Sequence, residues 1–324
     1  MHPDDLLRSR PLGNTVPRLS ILVPTYDRDV VPLCQELLAD IATLDDPLSV
    51  ELLVLIDGNP TLEGQGAVIE AASTTRPGMV LDATLAPFSH NLGRGEARNT
   101  LARLARGETL LFLDADGMPD RPGFVGRALA EAGNPGEIVC GGRTGRRCPP
   151  APADAKLFEH HSRKREWIPA AARNQDPAGT FMSANFMASR DMFLAHPFDD
   201  AFKGWGWEDA EWALRIARVA SIRHVDNSVS HMEHHRDADW LGRLERSATN
   251  YRRLFALHPD AVRRHRLFKL IRRFRRVETK PGLAPTLRRV ALAQGRIPVQ
   301  ARLMALKLYQ ALIYTRALPF SLDG

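Results

Sequence analysis

Apolar residues fall along this chain in short runs, at 19–23, 52–56 and 109–113, separated by stretches in which they recur every three or four positions. The runs have the length of buried strands and the stretches carry the period of helices, so the pattern predicts strands alternating with helices and a mainly parallel sheet. Helices are expected over 30–43, 61–73, 93–105 and 122–132, with a weaker strand over 79–85 and a further strand over 137–140. Arg, Pro and Gly then crowd 143–152, and neither period is strong before Gly179, which predicts a flexible connection over the active face. Order resumes over 179–194. Beyond residue 237 the chain reads as helical, with apolar stripes over 240–257, 263–276 and 299–318. The expected organisation is an N-terminal extension (1–17), an α/β domain (18–240) whose halves are 18–120 and 121–240, and a helical, basic extension (241–324).

Two acidic pairs stand out against this pattern. Asp114 and Asp116 directly follow the apolar run Leu110-Leu111-Phe112-Leu113, which puts them at the carboxyl end of a strand, where open α/β sheets hold their ligands. Two carboxylates there suit magnesium or manganese carrying a diphosphate, although acidic residues after a strand are also common turn formers. Glu208 and Asp209 end the segment Gly204-Trp205-Gly206-Trp207-Glu208-Asp209 and open a helix. Trp205 and Trp207 offer flat faces for the C–H groups of a sugar and Gly206 lets the backbone come close, whereas the plainer reading makes both tryptophans core residues.

On these residues the chain resembles the family 2 glycosyltransferases of GT-A fold. Asp114-Ala115-Asp116 looks like their DxD motif, and 202–209 is similar to the GWGxED acceptor motif of the galactosyltransferase-like and chondroitin-polymerase-like branches. Further resemblances lie upstream: 19–28 is similar to the family's first strand and turn, 53–58 to its second strand, and Asn91-Leu92-Gly93-Arg94-Gly95-Glu96-Ala97-Arg98-Asn99 to its NxGxxxARN helix start. The resemblance implies a GT-A, Rossmann-like sheet. It further implies an inverting transfer from a nucleotide-diphosphate donor, UDP-linked and carrying galactose or N-acetylgalactosamine, to an acceptor hydroxyl.

Residue by residue, it implies a nucleotide pocket of Pro24, Thr25, Tyr26 and Asp57, with Arg98 and Asp114 toward the diphosphate. Asp27 replaces the commoner Asn, and the family's doubled Asp is here Ile56-Asp57. His234-His235-Arg236-Asp237 matches a HxRD-like segment whose histidine completes the metal site, so Asp116 and His234 are the favoured ligands of Mn2+ or Mg2+, with Asp114 and His231 beside them and His235 last. Asp209 is the expected base and Glu208 the group that orients the acceptor, with the reverse assignment also open. Trp205, Gly206 and Trp207 would contact that acceptor.

Asp-Ala-Asp-Gly also resembles the first motif of haloacid-dehalogenase-like phosphatases, in which the first Asp is a nucleophile. Those enzymes carry it on their first strand, and here several strand and helix units precede it. A non-catalytic module binding nucleotide sugars or membranes is the third class.

Composition narrows the setting only slightly. With 44 Lys and Arg against 38 Asp and Glu the chain carries a formal charge of +6, which suits a nucleotide diphosphate, anionic lipid or nucleic acid. Specific nucleic-acid binding is not expected. Saccharide, glycolipid and small-molecule acceptors all fit. Cys34, Cys140 and Cys148 show no CxxC spacing, which points to neither a disulfide framework nor a cysteine metal site. No apolar stretch reaches the roughly 18–20 residues of a membrane span and no secretory signal opens the chain, so the expectation is a cytoplasmic protein, with peripheral contact at the inner membrane face left open for the basic tail.

Overall fold

The computed structural model describes residues 7–8, 16–62, 74–76, 79–80, 82–274 and 282–318. Its strands in chain order are β1 (Leu7–Arg8), β2 (Leu19–Thr25), β3 (Val50–Asp57), β4 (Thr74–Arg76), β5 (Met79–Val80), β6 (Asp82–Phe88), β7 (Thr109–Leu113), β8 (Gly117–Pro119), β9 (Glu137–Cys140), β10 (Arg143–Thr144), β11 (Asn185–Ser189), β12 (Ser221–His224) and β13 (Val229–His231). Eight of them form one sheet in the order β1-β6-β3-β2-β7-β11-β9-β12. The central strands β6, β3, β2 and β7 run parallel and β12 runs parallel to β9, while β11 is antiparallel to both its neighbours and β1 is an antiparallel edge.

The unbroken apolar runs reflect burial on both faces of this sheet. Leu19, Ile21, Val23, Leu52 and Val54 enter one core with the helix Val31–Ile41, and the alternate residues Leu22, Leu53, Leu55 and Phe112 enter the other with the helix Arg94–Leu104. Side-chain alternation thus divides each strand between two cores. The helix Phe124–Glu131 follows Asp114-Ala115-Asp116, close to its expected place.

A second sheet of three strands, β10-β13-β8, sits beside the end of β7. Its register pairs His231 with Gly117 and Arg143 with Val229, so three distant segments are brought to the residues that follow Leu113.

Several expectations are revised. The stretch 143–179, expected as a flexible connection, holds strand β10 and the helices Lys156–Arg165 and Ala170–Arg173. The first helix contributes only Leu157 and Phe158 to the core, too few for a periodic signal, and its start is fixed by Asp237, whose Oδ1 accepts the N–H groups of both (3.0 and 3.1 Å). The single helix expected over 240–257 is two, Asp237–Arg246 and Ala248–Leu257, joined at Ser247. The basic stripe is likewise two, Pro259–Arg264 and Arg266–Phe274, because His265 is extended; residues 275–281 lie outside the described set. Of the helix expected over 61–73, residues 63–73 also lie outside it, and 60–62 form one 3-10 turn.

The helices beyond residue 237 are packed onto the α/β part. Leu157, Phe158, Trp240, Leu241, Leu303 and Leu306 share one apolar cluster, and Phe202, Tyr251, Phe268 and Tyr314 share another. Between Asp237 and the helix Val299–Ala317 runs a buried ion pair, Arg302 Nη2 to Asp237 Oδ2 at 2.5 Å. The expected boundary at 240 falls inside the helix Asp237–Arg246. No helix among the described residues is long and apolar enough to cross a membrane.

Candidate active site

The turn after β7 is set by its neighbours. Asp114 N–H donates to Ala184 O and Gly117 N–H to Asp114 O, which holds both aspartates over the carboxyl end of the parallel strands. Asp114 Oδ1 accepts from Arg98 Nη2 at 2.5 Å, and Arg98 is 2% exposed. One turn earlier on the same helix face, Arg94 lies 3.8 Å from Asp114 Oδ2 through Nη2 and 3.8 Å from Glu208 Oε1 through Nε. Arg94 therefore joins the two acidic pairs. Crowding by the surrounding protein works against its charge, but Glu208, Asp114, Asp209 and Asp116 together hold it more firmly protonated than usual.

Asp116 makes different contacts. Its Oδ2 meets His231 Nε2 at 2.9 Å and its Oδ1 accepts from Arg143 Nη2 at 3.2 Å. Burial alone would raise its pKa, yet His231, Arg143 and Arg94 hold the carboxyl well below the usual range. Downstream of His231, Glu233 and His235 lie close enough that one ligand atom from each of the three falls within 4.8 Å of the others. Positions 231, 233 and 235 alternate, so the period of an extended segment places them on one side. Glu233 also pairs with Arg28 in the turn after β2 and with His235 Nδ1 (3.1 Å). The favoured histidine of the sequence, His234, faces elsewhere: its Nε2 meets Pro149 O at 2.6 Å and Cys148 Sγ at 3.1 Å.

The second acidic pair opens the helix Glu208–Ile216. Trp207 caps it with φ +76°, the one non-glycine residue with positive φ among the described residues. Such a conformation is unfavourable for a bulky side chain and needs support. Trp207 has it: Nε1 donates to Tyr314 OH at 3.1 Å, and the ring packs on Tyr251 and Tyr314. Trp205 packs against the cluster that contains Trp240 and Leu241. The turn so braced sends both carboxylates inward. Asp209 Oδ2 accepts from Ser183 N–H at 3.2 Å, while Asp209 Oδ1 and Glu208 Oε2 are buried with no hydrogen-bond partner. Burial, reinforced by Asp209, raises the pKa of Glu208, and Arg94 offsets part of that rise.

On the opposite side, Asp57 is buried and spends both oxygens on the turn before the helix Arg94–Leu104, with Oδ1 accepting from Leu92 N–H (2.5 Å) and Oδ2 from Gly93 N–H (3.1 Å). Burial raises its pKa and those two bonds oppose the rise. Thr25 is buried and donates its Oγ1 hydrogen to Arg28 O (3.0 Å), fixing the turn after β2, while Pro24 lies within the strand, opposite Leu55. Tyr26 is 52% exposed beside it, its carbonyl accepting from Asn59 Nδ2.

Sequence reasoning missed Arg94, Arg143 and Glu233. Arg94 could have been read from its i, i+4 relation to Arg98 and Glu233 from its alternation with His231. Arg143 had no local signal, since the small sheet alone brings it to Asp116.

An open, mainly parallel sheet with carboxylates over its carboxyl edge, flanked by helices, is the GT-A architecture. Residues 20–194, more than half of the chain, match the model described as Glycosyl transferase family 2, and the chain belongs to that family. Family membership displaces the phosphatase reading of Asp-Ala-Asp-Gly. Among solved structures, the chain is similar to the mannosyltransferase PcManGT from Pyrobaculum calidifontis, solved in complex with GDP-Man and Mn2+ (19% identity, 94% of this chain, 86% of that one, TM-score 0.51). It is also similar to S. aureus TarS 1-349 (16% identity, 94% of each chain, TM-score 0.50). At such identities the likeness is one of fold. No curated protein matches.

Proposed function

We propose that this protein transfers a sugar from a nucleotide-diphosphate donor, UDP-linked in the first instance, to an acceptor hydroxyl with inversion at the anomeric carbon. The observation that carries the reading is the junction at Arg94, which lies 3.8 Å from an acid of each pair and so ties a diphosphate side to a proton-accepting side.

The donor set fits a divalent cation. Asp116, His231, Glu233 and His235 combine carboxylate oxygen with imidazole, and His231 Nδ1 is buried without a partner. Mn2+ suits this mixed set and Mg2+ its oxygens; Asp114 stands second to them, and His234, turned to Pro149 and Cys148, would have to swing round to join. A bound cation would supply positive charge to the departing diphosphate. The Mn2+ and GDP-Man bound to PcManGT support this reading by analogy of fold.

The chain's own residues account for the rest. Arg98 is committed to Asp114, and Arg94 presents charge between the acidic pairs where a diphosphate would leave. Pro24, Thr25, Tyr26 and Asp57 border the nucleotide, with the exposed ring of Tyr26 free to lie against a base. The acceptor lies near Trp205, Gly206 and Trp207. Asp209, steadied through Oδ2 by Ser183, takes the hydroxyl proton on Oδ1, and Glu208 orients the hydroxyl.

A donor-hydrolysis screen across UDP- and GDP-sugars, with and without manganese, tests this reading. It predicts metal-dependent release of the nucleoside diphosphate from one donor. Inorganic phosphate as the product, or no release from any donor, would contradict it.

A further inference from the structure

A cleft of about 500 Å³ opens beside the His231, Glu233 and His235 cluster. Its walls are the segment through Glu233 to Arg236 and one face of the helix Asp237–Arg246, which presents Asp239, Gly242, Arg243 and Arg246 at helical spacing. We propose that this cleft is an acceptor subsite and that the acceptor carries an anionic group, phosphate or carboxylate, which Arg243 and Arg246 hold. The assignment rests on the transferase reading above.

Three observations support it. First, the balance of charge favours an anion. Three arginines meet two acids, and Glu233 is already engaged by Arg28 and His235. Arg236 lies 3.4 Å from Asp154, and Arg243 donates to His235 Nε2 at 3.0 Å. Arg246 is exposed and has no ion-pair partner among the described residues, so its planar donor fork is available to an oxyanion.

Second, Gly242 stands in the middle of this helix, where glycine costs about 1 kcal/mol relative to alanine. Packing does not require it, because a Cβ there would meet only Arg246 Nη1 at 3.4 Å, an ordinary contact. What the missing side chain provides is room for the Arg246 guanidinium, whose Nη1 lies alongside Gly242 at the wall of the cleft.

Third, the cleft is joined to the proposed base. Trp240, Leu241 and Leu244, on the buried side of the same helix, form a cluster against which Trp205 packs, and Trp205 belongs to the turn that aims Glu208 and Asp209. The helix that grips the anion therefore also supports the acceptor end of the catalytic turn.

The test compares, at saturating donor, a neutral sugar acceptor with the same sugar bearing a 6-phosphate and with its uronic acid. The wild type should prefer one anionic form by about tenfold or more in kcat/KM, the phosphate and carboxylate arms identifying the group. Arg246→Ala should reduce that preference by a similar factor through the acceptor KM, and Arg246→Lys should restore part of it. Calorimetric titration with the sugar phosphate alone gives a readout independent of turnover, and its affinity should fall with added salt. Equal use of neutral and anionic acceptors, or a preference that survives Arg246→Ala combined with Arg243→Ala, would overturn the proposal. So would an effect confined to the donor KM. Donor hydrolysis by the wild type without acceptor keeps the two readings apart: its absence defeats the transferase, whereas hydrolysis without anionic preference defeats only the subsite.

Discussion

At the scale of single residues, the metal proposal distinguishes among histidines that the sequence could not rank by geometry. The His231 ring contacts Asp116, while His234 is turned to Pro149 and Cys148. Manganese titration with nucleoside diphosphate present should therefore show Asp116→Ala and His231→Ala weakened by about tenfold or more, with His234→Ala affected less. Equal losses at 231 and 234 would mean that His234 swings into the site. Glu208 gives a prediction in pH. Its folded pKa lies above the ordinary 4.5, so above pH 4.5 the folded state keeps a proton that the unfolded chain releases, and stability falls as pH rises toward the folded value. Glu208→Gln abolishes that dependence. The Tm advantage of the variant over the wild type should grow as pH is raised from 4.5, and a constant difference would show that the burial of Glu208 carries no such penalty. The candidate acids were legible because each sits at a strand end or helix start that local sequence defines. Arg143 and Arg94 acquire their roles only from what the fold places opposite them.

At the scale of elements, the turn joining Asn91 to the helix Arg94–Leu104 packs directly on Gly58. Gly58 has φ +76°, and a Cβ there would lie 2.4 Å from Asn91 N and His90 C. Gly58→Ala should therefore destabilise the protein by about 2 kcal/mol or more in denaturant unfolding and shift the 90–93 turn that Asp57 caps. An unchanged midpoint would contradict the contact. Strands β2, β3 and β7 were readable because burial on both faces leaves unbroken apolar runs; β7 spans the expected 109–113, and β2 and β3 extend theirs by two or three residues. The helix Lys156–Arg165 was not readable for the opposite reason. It holds two core side chains, and its ordering comes from Asp237, 80 residues from Leu157 in sequence. Local periodicity cannot carry such a signal. Ser247 and His265 likewise divide helices that an apolar stripe alone would continue.

At the scale of the whole molecule, the helices after residue 237 join the α/β part through two apolar clusters and the Arg302–Asp237 pair, whose loss on one side would leave an uncompensated buried charge. In the helix Arg266–Phe274 the apolar residues Phe268 and Ile271 are consumed by this packing, which leaves Lys269, Arg272 and Arg273 exposed. On these exposed cations and the charge of +6 we base the proposal of peripheral contact with an anionic membrane. Charge reversal at Arg272 and Arg273 should weaken cosedimentation with phosphatidylserine-containing vesicles, and salt should weaken it in the wild type. Failure of the wild type to bind at low salt would leave these helices a purely structural role. The central claim is that two acidic pairs, joined through Arg94, divide the work of a sugar transfer, and steady-state transfer by Asp209→Asn tests it most directly. The substitution is nearly isosteric and leaves a very poor proton acceptor, so turnover should fall by roughly 10²-fold or more while nucleoside diphosphate and manganese still bind. Near-normal turnover by Asp209→Asn would contradict the account.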